Sequence, residues 1–270
     1  MKLITIIMPN YNNPYLYEAI DSVISQTYGF IQLVIIDDCS KVFDKDKVEN
    51  YIERHKRPNL VEYDVIVNEN NIGTVKNLNK AFKYAKGDII FNLAGDDVFY
   101  DNNVISEWVD FFEKNNAEVV TACRAMYDEK MQKQIDILPT QDDINILNTA
   151  RTDIIWDRLC QKNFVFGCCT ARTREMMEHI GYDESYKLIE DYPWNLKITR
   201  QGVLIYFWNR VAVKYRSGGI SSPAKFDGAY LKDSIIILFK EILPYSKHKR
   251  KDIISFVSWL RNHIRIEYFT

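Results

Sequence analysis

The sequence of 270 residues lacks the features that define several large classes of protein. No apolar run approaches the roughly 20 residues of a membrane-spanning helix, and the first residues lack the apolar stretch and small-residue cleavage site of a signal peptide. The net charge is −2, without the basic excess typical of nucleic-acid-binding proteins. Internal repeats and low-complexity segments are also missing. We therefore expect a globular cytoplasmic protein that binds no nucleic acid.

Cysteine is scarce, and its spacing follows no known framework. The five cysteines are odd in number and form no C-x-x-C pair, and two of them, Cys168 and Cys169, are adjacent. This usage indicates reduced thiols, as in a cytoplasmic protein, and predicts no zinc site.

What the first half does contain is an alternation of strand and helix patterns. Apolar runs of strand length occur at 3–8, 33–36, 61–67, 88–93 and 118–125. Helical spacing of apolar residues occurs between them, at 15–26, 48–54, 74–85 and 104–112. Such alternation indicates right-handed βαβ units around a mostly parallel sheet.

The second half is less regular. We predict an irregular segment at 128–148, a helix at 149–161, a strand at 164–171, a helix at 191–200 and a strand at 203–215. Two helices, at 230–243 and 251–268, are predicted to close the chain, with Pro244 between them.

A polar, turn-forming loop follows each of the first four strands. The loops are Pro9–Pro14, Asp37–Ser40, Asn68–Gly73 and Ala94–Asp97. Any one of them could be only a turn. Because ligands of such sheets bind beyond the carboxyl ends of the strands, four loops at one edge predict a ligand site. Two loops hold adjacent acids, which repel each other unless donors or a cation compensate; a divalent cation shared with a diphosphate would do so.

These loops resemble those of family 2 glycosyltransferases of the GT-A fold. The matching residues are Pro9, Tyr11, Asn12, Ser22, Gln26, Thr27, Tyr28, Asp37, Asp38, Ser40, Asn71, Gly73, Asn77, Ala85, Gly87, Asp96 and Asp97. The resemblance covers residues 3 to 112 and extends more loosely to 221. It implies an α/β, Rossmann-like GT-A sheet flanked by helices, with a helical C-terminal extension.

The resemblance also implies a division of the chain. A GT-A domain would span 1–225, with a nucleotide-sugar-binding half at 1–115 and an acceptor-binding half at 116–225. A helical extension would follow at 226–270.

The resemblance implies roles for particular residues on the donor side. The nucleotide-sugar-binding set is Pro9, Tyr11, Asn12, Asp38, Lys76 and Asp96. Of these, the first three would line the nucleoside pocket, Asp38 would bond the base, usually uracil or thymine, and Lys76 would lie near the phosphates. Asp96, with Asp97 beside it, would bind Mn²⁺ or Mg²⁺. Ala94 stands where the family has the first acid of this motif.

A second candidate site lies at Glu190-Asp191, before an amphipathic segment that contains Trp194. It resembles the family's E-D motif, whose aspartate is the general base; a carboxylate can take the proton of an attacking sugar hydroxyl. Asp191 would be that base, with Glu190 and Trp194 on the acceptor side. The alternative is that both acids only favour a helix N-terminus.

Arg216, in the loop after the last predicted strand, could contact phosphate or form a structural salt bridge.

The function that follows is an inverting glycosyltransferase of hexosyl or N-acetylhexosaminyl type. It would move a sugar from a nucleoside-diphosphate donor, with UDP expected, to a saccharide or lipid-linked saccharide in surface polysaccharide synthesis. The alternative is a catalytically impaired nucleotide-sugar-binding module, which Ala94 favours. A nucleotidyltransferase would need a glycine-rich basic loop after the first strand, and that loop contains neither glycine nor a cation.

The C-terminal segment 247–268 combines a basic cluster, Lys247–Lys251, with apolar residues at helical spacing and with Trp259. A basic amphipathic helix with an aromatic anchor can lie in a membrane interface. We therefore expect weak peripheral contact with the inner face of the membrane. The alternative is that the apolar face packs on the catalytic domain.

Overall fold

The structure is a computed structural model that describes residues 1–219 and 228–267, with side chains up to residue 262. Its strands are β1 Ile4–Asn10, β2 Ile31–Asp37, β3 Leu60–Val67, β4 Ile89–Asn92, β5 Val98–Phe99, β6 Val119–Tyr127, β7 Gln134–Leu138, β8 Thr170–Thr173 and β9 Ile205–Arg216. Its helices are α1 Leu16–Ile24, α2 Lys45–His55, α3 Thr74–Phe82, α4 Val104–Asn115, α5 Gln141–Leu147, α6 Thr152–Leu159, α7 Arg174–His179, α8 Asp191–Arg200, α9 Gly228–Ile237 and α10 Lys249–Glu267.

The described strands form one sheet in the order β3-β2-β1-β4-β8-β6-β9-β5, and β7 pairs with β6. The four strands from β3 to β4 are parallel, as are β6 and β9, whereas β8 runs antiparallel to both β4 and β6. The register places Asn10 beside Asp37 and Asp37 beside Val67. The loops after β1, β2 and β3 therefore leave the sheet at the same edge, as predicted.

Each face of the sheet has its own apolar cluster. Along β1, Ile4, Ile6 and Met8 pack on one side with α1 and α4, whereas Ile7 packs on the other side with α3 and α8. Burial on both faces explains why the strands appear in the sequence as continuous apolar runs. The α/β prediction with helices on both faces is confirmed.

The second half differs from the prediction in two places. The segment 128–148, predicted to be irregular, contains β7 and α5, and the side chain of Thr140 caps α5 by accepting a hydrogen bond from the Asp143 N–H. The strand predicted at 164–171 is wrong for most of its length. Residues Gly167–Cys169 form a 3₁₀ turn, and β8 begins only at Thr170. Short apolar runs do not distinguish a strand from a buried turn by periodicity.

The helices after β9 pack on the apolar cluster that contains Ile7, on the face of the sheet covered by α3 and α8. Ile237, Leu238 and Ile242 are buried there, where α9 continues into a π-helical segment, Leu238–Ile242. The predicted domain boundary at 225/226 lies outside the described residues. No helix in the described ranges is both long enough and apolar enough to cross a membrane.

Candidate active site

The two acids at the carboxyl end of β2, Asp37 and Asp38, are compensated by hydrogen-bond donors. Asp37 accepts bonds from the Asn10 side chain (2.6 Å) and from the N–H and hydroxyl of Ser40 (2.8 and 2.6 Å). Both oxygens of Asp38 accept hydrogen bonds from the β3–α3 loop. Donors rather than a cation therefore balance this pair.

Asp38 closes the β3–α3 loop. Its carboxylate accepts hydrogen bonds from the Asn68 side chain and from the backbone N–H groups of Ile72 and Gly73, each at 2.9 Å. Gly73 has φ of +84°, and a Cβ there would lie 2.8 Å from the Lys187 carbonyl oxygen. The predicted base-binding aspartate thus lies at the expected sheet edge, and three of its roughly four acceptor positions are already used.

The loop after β1 is held against the loop after β2. Asn12 adopts a left-handed conformation (φ 49°), donates its N–H to the Ser40 hydroxyl (2.6 Å) and accepts a bond from the Lys41 N–H (2.8 Å). Tyr11 is 43% exposed, and Pro9 is half-buried. This arrangement leaves the Tyr11 ring accessible to a nucleoside.

Two lysines of α3 have different environments. Lys80 donates to the Asn68 side chain (2.7 Å) and so supports the loop that Asp38 closes. Lys76, in the first turn, is exposed and has no hydrogen bond or ion pair within the described part of the chain. The ammonium group of Lys76 is therefore accessible to a ligand.

The acidic loop after β4 is fixed by Arg216. The Arg216 N–H donates to Asp97 (3.0 Å), its Nε donates to the Asp96 carbonyl (2.9 Å), and its remaining nitrogens bond Glu129 and Glu18. Arg216 is 3% exposed and stacks on Tyr15. The sequence left open whether Arg216 contacts phosphate or forms a structural salt bridge. Its contacts, including the ion pair with Glu18, match the structural salt bridge.

Asp96 and Asp97 differ in burial. Asp96 is half-buried, and its carboxylate faces Gly219, where a Cβ would lie 3.4 Å from Oδ2. Asp97 is 1% exposed, and its buried Oδ2 has no hydrogen-bond partner. Burial and the charge of Asp96 hold the pKa of Asp97 well above its ordinary value. An unpartnered carboxylate oxygen beside a second carboxylate fits a hard divalent cation that takes its other ligands from a diphosphate. Within the described ranges, no group of three or more potential side-chain ligands forms a metal site by itself.

Glu190 and Asp191 lie at the N-terminus of α8, against the 3₁₀ turn. Asp191 Oδ2 accepts hydrogen bonds from the Gly167 N–H (2.9 Å) and from the Asn163 side chain (3.3 Å). A Cβ at Gly167 would lie 2.9 Å from Glu190 Oε1, so glycine makes room for the carboxyl pair. Burial, with the charge of Asp191, raises the pKa of Glu190 to about 8, and burial also raises the pKa of Asp191.

The side chain of Trp194, on α8, is buried. It is 3% exposed, donates its indole N–H to the Ile180 carbonyl (2.6 Å) and packs beside Tyr182 and Arg172. These contacts give Trp194 a packing role between α8 and the core, and they differ from the acceptor-side position predicted for it.

Sequence reasoning missed Arg124 and Cys168, which lie between the two acidic pairs. Burial raises the pKa of both Asp97 and Asp191, and the charge of Arg124 opposes that rise at each. Arg124 Nη1 is 3.8 Å from Cys168 Sγ. A hydrogen bond with Cys169 and the charge of Arg124 lower the pKa of the Cys168 thiol, against the effect of burial. Arg124 belongs to an apolar strand and matches no motif, so only the three-dimensional structure reveals its position.

A family model described as glycosyl transferase family 2 matches residues 5–181. The chain belongs to this family. An uncharacterized glycosyltransferase of Rickettsia typhi is 29% identical over 217 residues, which are 79% of this chain and 64% of that protein. The minor teichoic acid biosynthesis protein GgaB of Bacillus subtilis is 25% identical over 96% of this chain and 28% of its own length. This chain thus covers only part of the length of each of these two relatives.

Solved structures share the fold. S. aureus TarS 1-349 in complex with UDP-GlcNAc has a TM-score of 0.62 at 18% identity, covering 97% of this chain and 73% of that one. The mannosyltransferase PcManGT of Pyrobaculum calidifontis, in complex with GDP-Man and Mn²⁺, has a TM-score of 0.65 at 16% identity, covering 98% and 75%. The predicted GT-A fold is confirmed by these likenesses.

Proposed function

We propose that the chain transfers a sugar from a nucleoside-diphosphate donor to an acceptor hydroxyl with inversion, in surface polysaccharide synthesis. The observation that carries the proposal is that the Arg124 guanidinium contacts the rings of Phe166 and Tyr215, next to Gly167, which bonds Asp191, and Arg216, which bonds Asp97. A donor-side acid and an acceptor-side acid are thus held on either side of one position. A single displacement needs a stabilised leaving group on one side and a base on the other. No covalent intermediate, and hence no second nucleophilic carboxylate, is required.

Asp191 is the base in this proposal. Because the pKa of Glu190 is raised to about 8, Glu190 holds a proton near neutral pH, and the negative charge of the pair resides on Asp191. Gly167 and Asn163 both bond Oδ2 of Asp191. We therefore assign Oδ1 to the acceptor hydroxyl, whose proton it takes as the new C–O bond forms. A raised pKa makes Asp191 a stronger base than an ordinary aspartate.

The donor is assigned to the loops after β1, β2 and β4. Tyr11 is exposed there for stacking on a base, and Asp38 has remaining acceptor capacity for a base N–H. Lys76, which is exposed and unpaired within the described part of the chain, would contact the phosphates. Asp96, with the unpartnered oxygen of Asp97, would hold a divalent cation, which would neutralise charge on the departing diphosphate.

Similar proteins support a nucleoside-diphosphate sugar and a divalent cation. The structure of TarS contains UDP-GlcNAc, that of PcManGT contains GDP-Man and Mn²⁺, and GgaB is named for teichoic acid biosynthesis. We therefore propose a UDP-linked hexose or N-acetylhexosamine donor, Mn²⁺ or Mg²⁺ as cofactor, and a saccharide or lipid-linked saccharide acceptor.

Calorimetry with nucleotides tests this function. UDP should bind in the presence of Mn²⁺ and at least tenfold more weakly with a chelator, while uridine should be insensitive to the metal. Equal UDP affinity in both conditions would remove the cation from the proposal. Absence of binding by UDP, GDP and dTDP alike would reject a nucleotide-sugar donor.

We further propose that α10 rests on the inner face of the cytoplasmic membrane. One face of the helix packs inward: Asp252 is buried, and Phe256 and Trp259 pack together beside Tyr230. The opposite face is exposed and apolar, with Ile253, Ile254 and Val257. The exposed cations Lys247, Lys249, Arg250, Lys251 and Arg261 border it. Ile264 and Ile266 lie beyond the described side chains.

This surface fits an anionic bilayer. Each cation near anionic lipid contributes on the order of 1 kcal/mol, and the aliphatic residues add apolar burial. In sedimentation with vesicles, the protein should bind anionic vesicles at low salt and be released at high salt. Ile254→Glu should weaken binding, whereas Val42→Glu, at a residue 93% exposed after β2, should not. Equal binding by the two variants would contradict the assignment to α10.

A further inference from the structure

Arg124 is held rigidly on β6, at the junction of the two acidic pairs. Its guanidinium carbon lies 3.7 Å from the centre of the Phe166 ring and 4.2 Å from that of the Tyr215 ring. Two aromatic rings at these distances restrict the planar group to one orientation. The side chain is thus positioned before any ligand arrives.

The hydrogen-bonding capacity of this guanidinium is largely unused. An arginine carries five N–H donors, and the only acceptor that Arg124 contacts in the described part of the chain is the thiol of Cys168, at 3.8 Å. Its Nε is buried without a partner, and it makes no salt bridge to a described residue. Arg216, on the neighbouring strand, differs, because its side chain bonds the Asp96 and Glu129 carbonyls and a Glu18 carboxylate oxygen.

A cation with unused donors is costly to keep out of water unless an anion completes it. The carboxylates of Asp97 and Asp191 interact with Arg124 through space, but no hydrogen bond joins them to it. These acids would repel an anionic substrate, and the charge of Arg124 offsets that repulsion at the point between them. A planar fork of N–H donors suits the oxygens of a phosphate group.

We propose that Arg124 binds a phosphate group of the substrate. This inference rests on the proposed transferase function and specifies an anionic substrate group at its centre. The phosphate can come from two sources, which are the diphosphate of the donor and a phosphate carried by the acceptor. Arg124 would contact its oxygens through Nη2 and through the N–H of Nη1 that does not face Cys168.

The test compares Arg124→Gln with the parent, using UDP, uridine and glycerol 3-phosphate in calorimetry. If the bound phosphate belongs to the donor, Arg124→Gln should bind UDP at least tenfold more weakly than the parent and should bind uridine with unchanged affinity. If the phosphate belongs to the acceptor, the variant should keep its affinity for UDP and bind glycerol 3-phosphate at least tenfold more weakly. Arg124→Lys, which keeps the charge but not the fork, should give an intermediate loss.

Arg210→Gln is the matched control, because Arg210 lies near a ring of Trp208 but pairs with Asp101 and Glu107. It should bind all three ligands like the parent. Retained uridine binding shows that each variant is folded. Equal affinity of parent and Arg124→Gln for both phosphate ligands would overturn the proposal. If the parent binds neither UDP nor uridine, the proposed transferase function is wrong, and only glycerol 3-phosphate tests the role of Arg124. Weaker binding of glycerol 3-phosphate by Arg124→Gln than by the parent would then support phosphate binding by Arg124. Equal binding by the two proteins, or no binding by the parent, would reject it.

Discussion

Replacing Glu190 by glutamine should make the protein more stable at alkaline pH. Because burial and the charge of Asp191 raise the pKa of Glu190 from 4.5 to about 8, the folded state holds this proton more tightly than the unfolded state does. The resulting stabilisation is complete below pH 4.5 and is lost as the pH rises through 8. Glutamine is neutral at every pH and avoids this loss.

The magnitude follows from the size of the pKa difference. At about 1.4 kcal/mol for each pKa unit, the ceiling is about 5 kcal/mol. Because Glu190 is only half-buried, solvent screens its charge, and we expect a difference of about 2 kcal/mol between Glu190→Gln and the parent at pH 9. At pH 5 both side chains are neutral in the folded state, so the two proteins should be nearly equal.

Urea denaturation between pH 5 and 9 measures this difference. Glu175→Gln is the control, since Glu175 is an exposed glutamate of α7 and its replacement should not produce the same pH-dependent difference. A free-energy difference between Glu190→Gln and the parent that stays constant from pH 5 to 9 would refute the reasoning. In that case Glu190 would be ionised throughout, and the assignment of the base to Asp191 would lose its electrostatic basis.

Two further substitutions distinguish a residue needed for the transfer reaction from a residue needed for the stability of the fold. Asp191→Asn should leave UDP affinity unchanged and lower the transfer rate by about 10²-fold or more, as for a general base; transfer at the parent rate would make Asp191 a helix-terminus acid only. Asp38→Ala should lower the free energy of unfolding by about 3 kcal/mol in urea denaturation, because the Asn68 side chain and the N–H groups of Ile72 and Gly73 lose their acceptor. An unchanged unfolding free energy would confine Asp38 to ligand binding.

The first half of the fold could be predicted from the sequence because its elements repeat a simple pattern. Strands buried on both faces are continuous apolar runs, and turn residues mark their carboxyl ends. The second half could not be predicted as well. Gly167–Cys169 is apolar but forms a 3₁₀ turn, because the Gly167 N–H donates a hydrogen bond to Asp191 instead of to a neighbouring strand. β7 has only five residues, and its Ile135 and Ile137 are exposed, so it does not form the buried apolar run that marks the other strands.

The candidate site was only partly predictable, for a physical reason. A motif identifies a residue type at a position, whereas the role of a charge depends on what else contacts it. Asp37 and Asp38 match the motif as well as Asp96 and Asp97 do, yet only the first pair is fully compensated by local donors.

Several of the uncompensated groups in the described part of the chain belong to the candidate active site. Asp97 has a buried oxygen without a partner, Arg124 has unused donors, and Glu190 and Asp191 share a site where burial raises both pKa values. Each of these costs folding free energy, and a chain selected for stability alone would pair or remove them. The described fold instead holds them with well-satisfied neighbours: Arg216 fixes the loop of Asp97, and Gly167 orients Asp191. Such an arrangement is stable when a ligand supplies the missing charges. A phosphate between Asp97 and Asp191, accompanied by a cation at the first and a hydroxyl at the second, would do so at once.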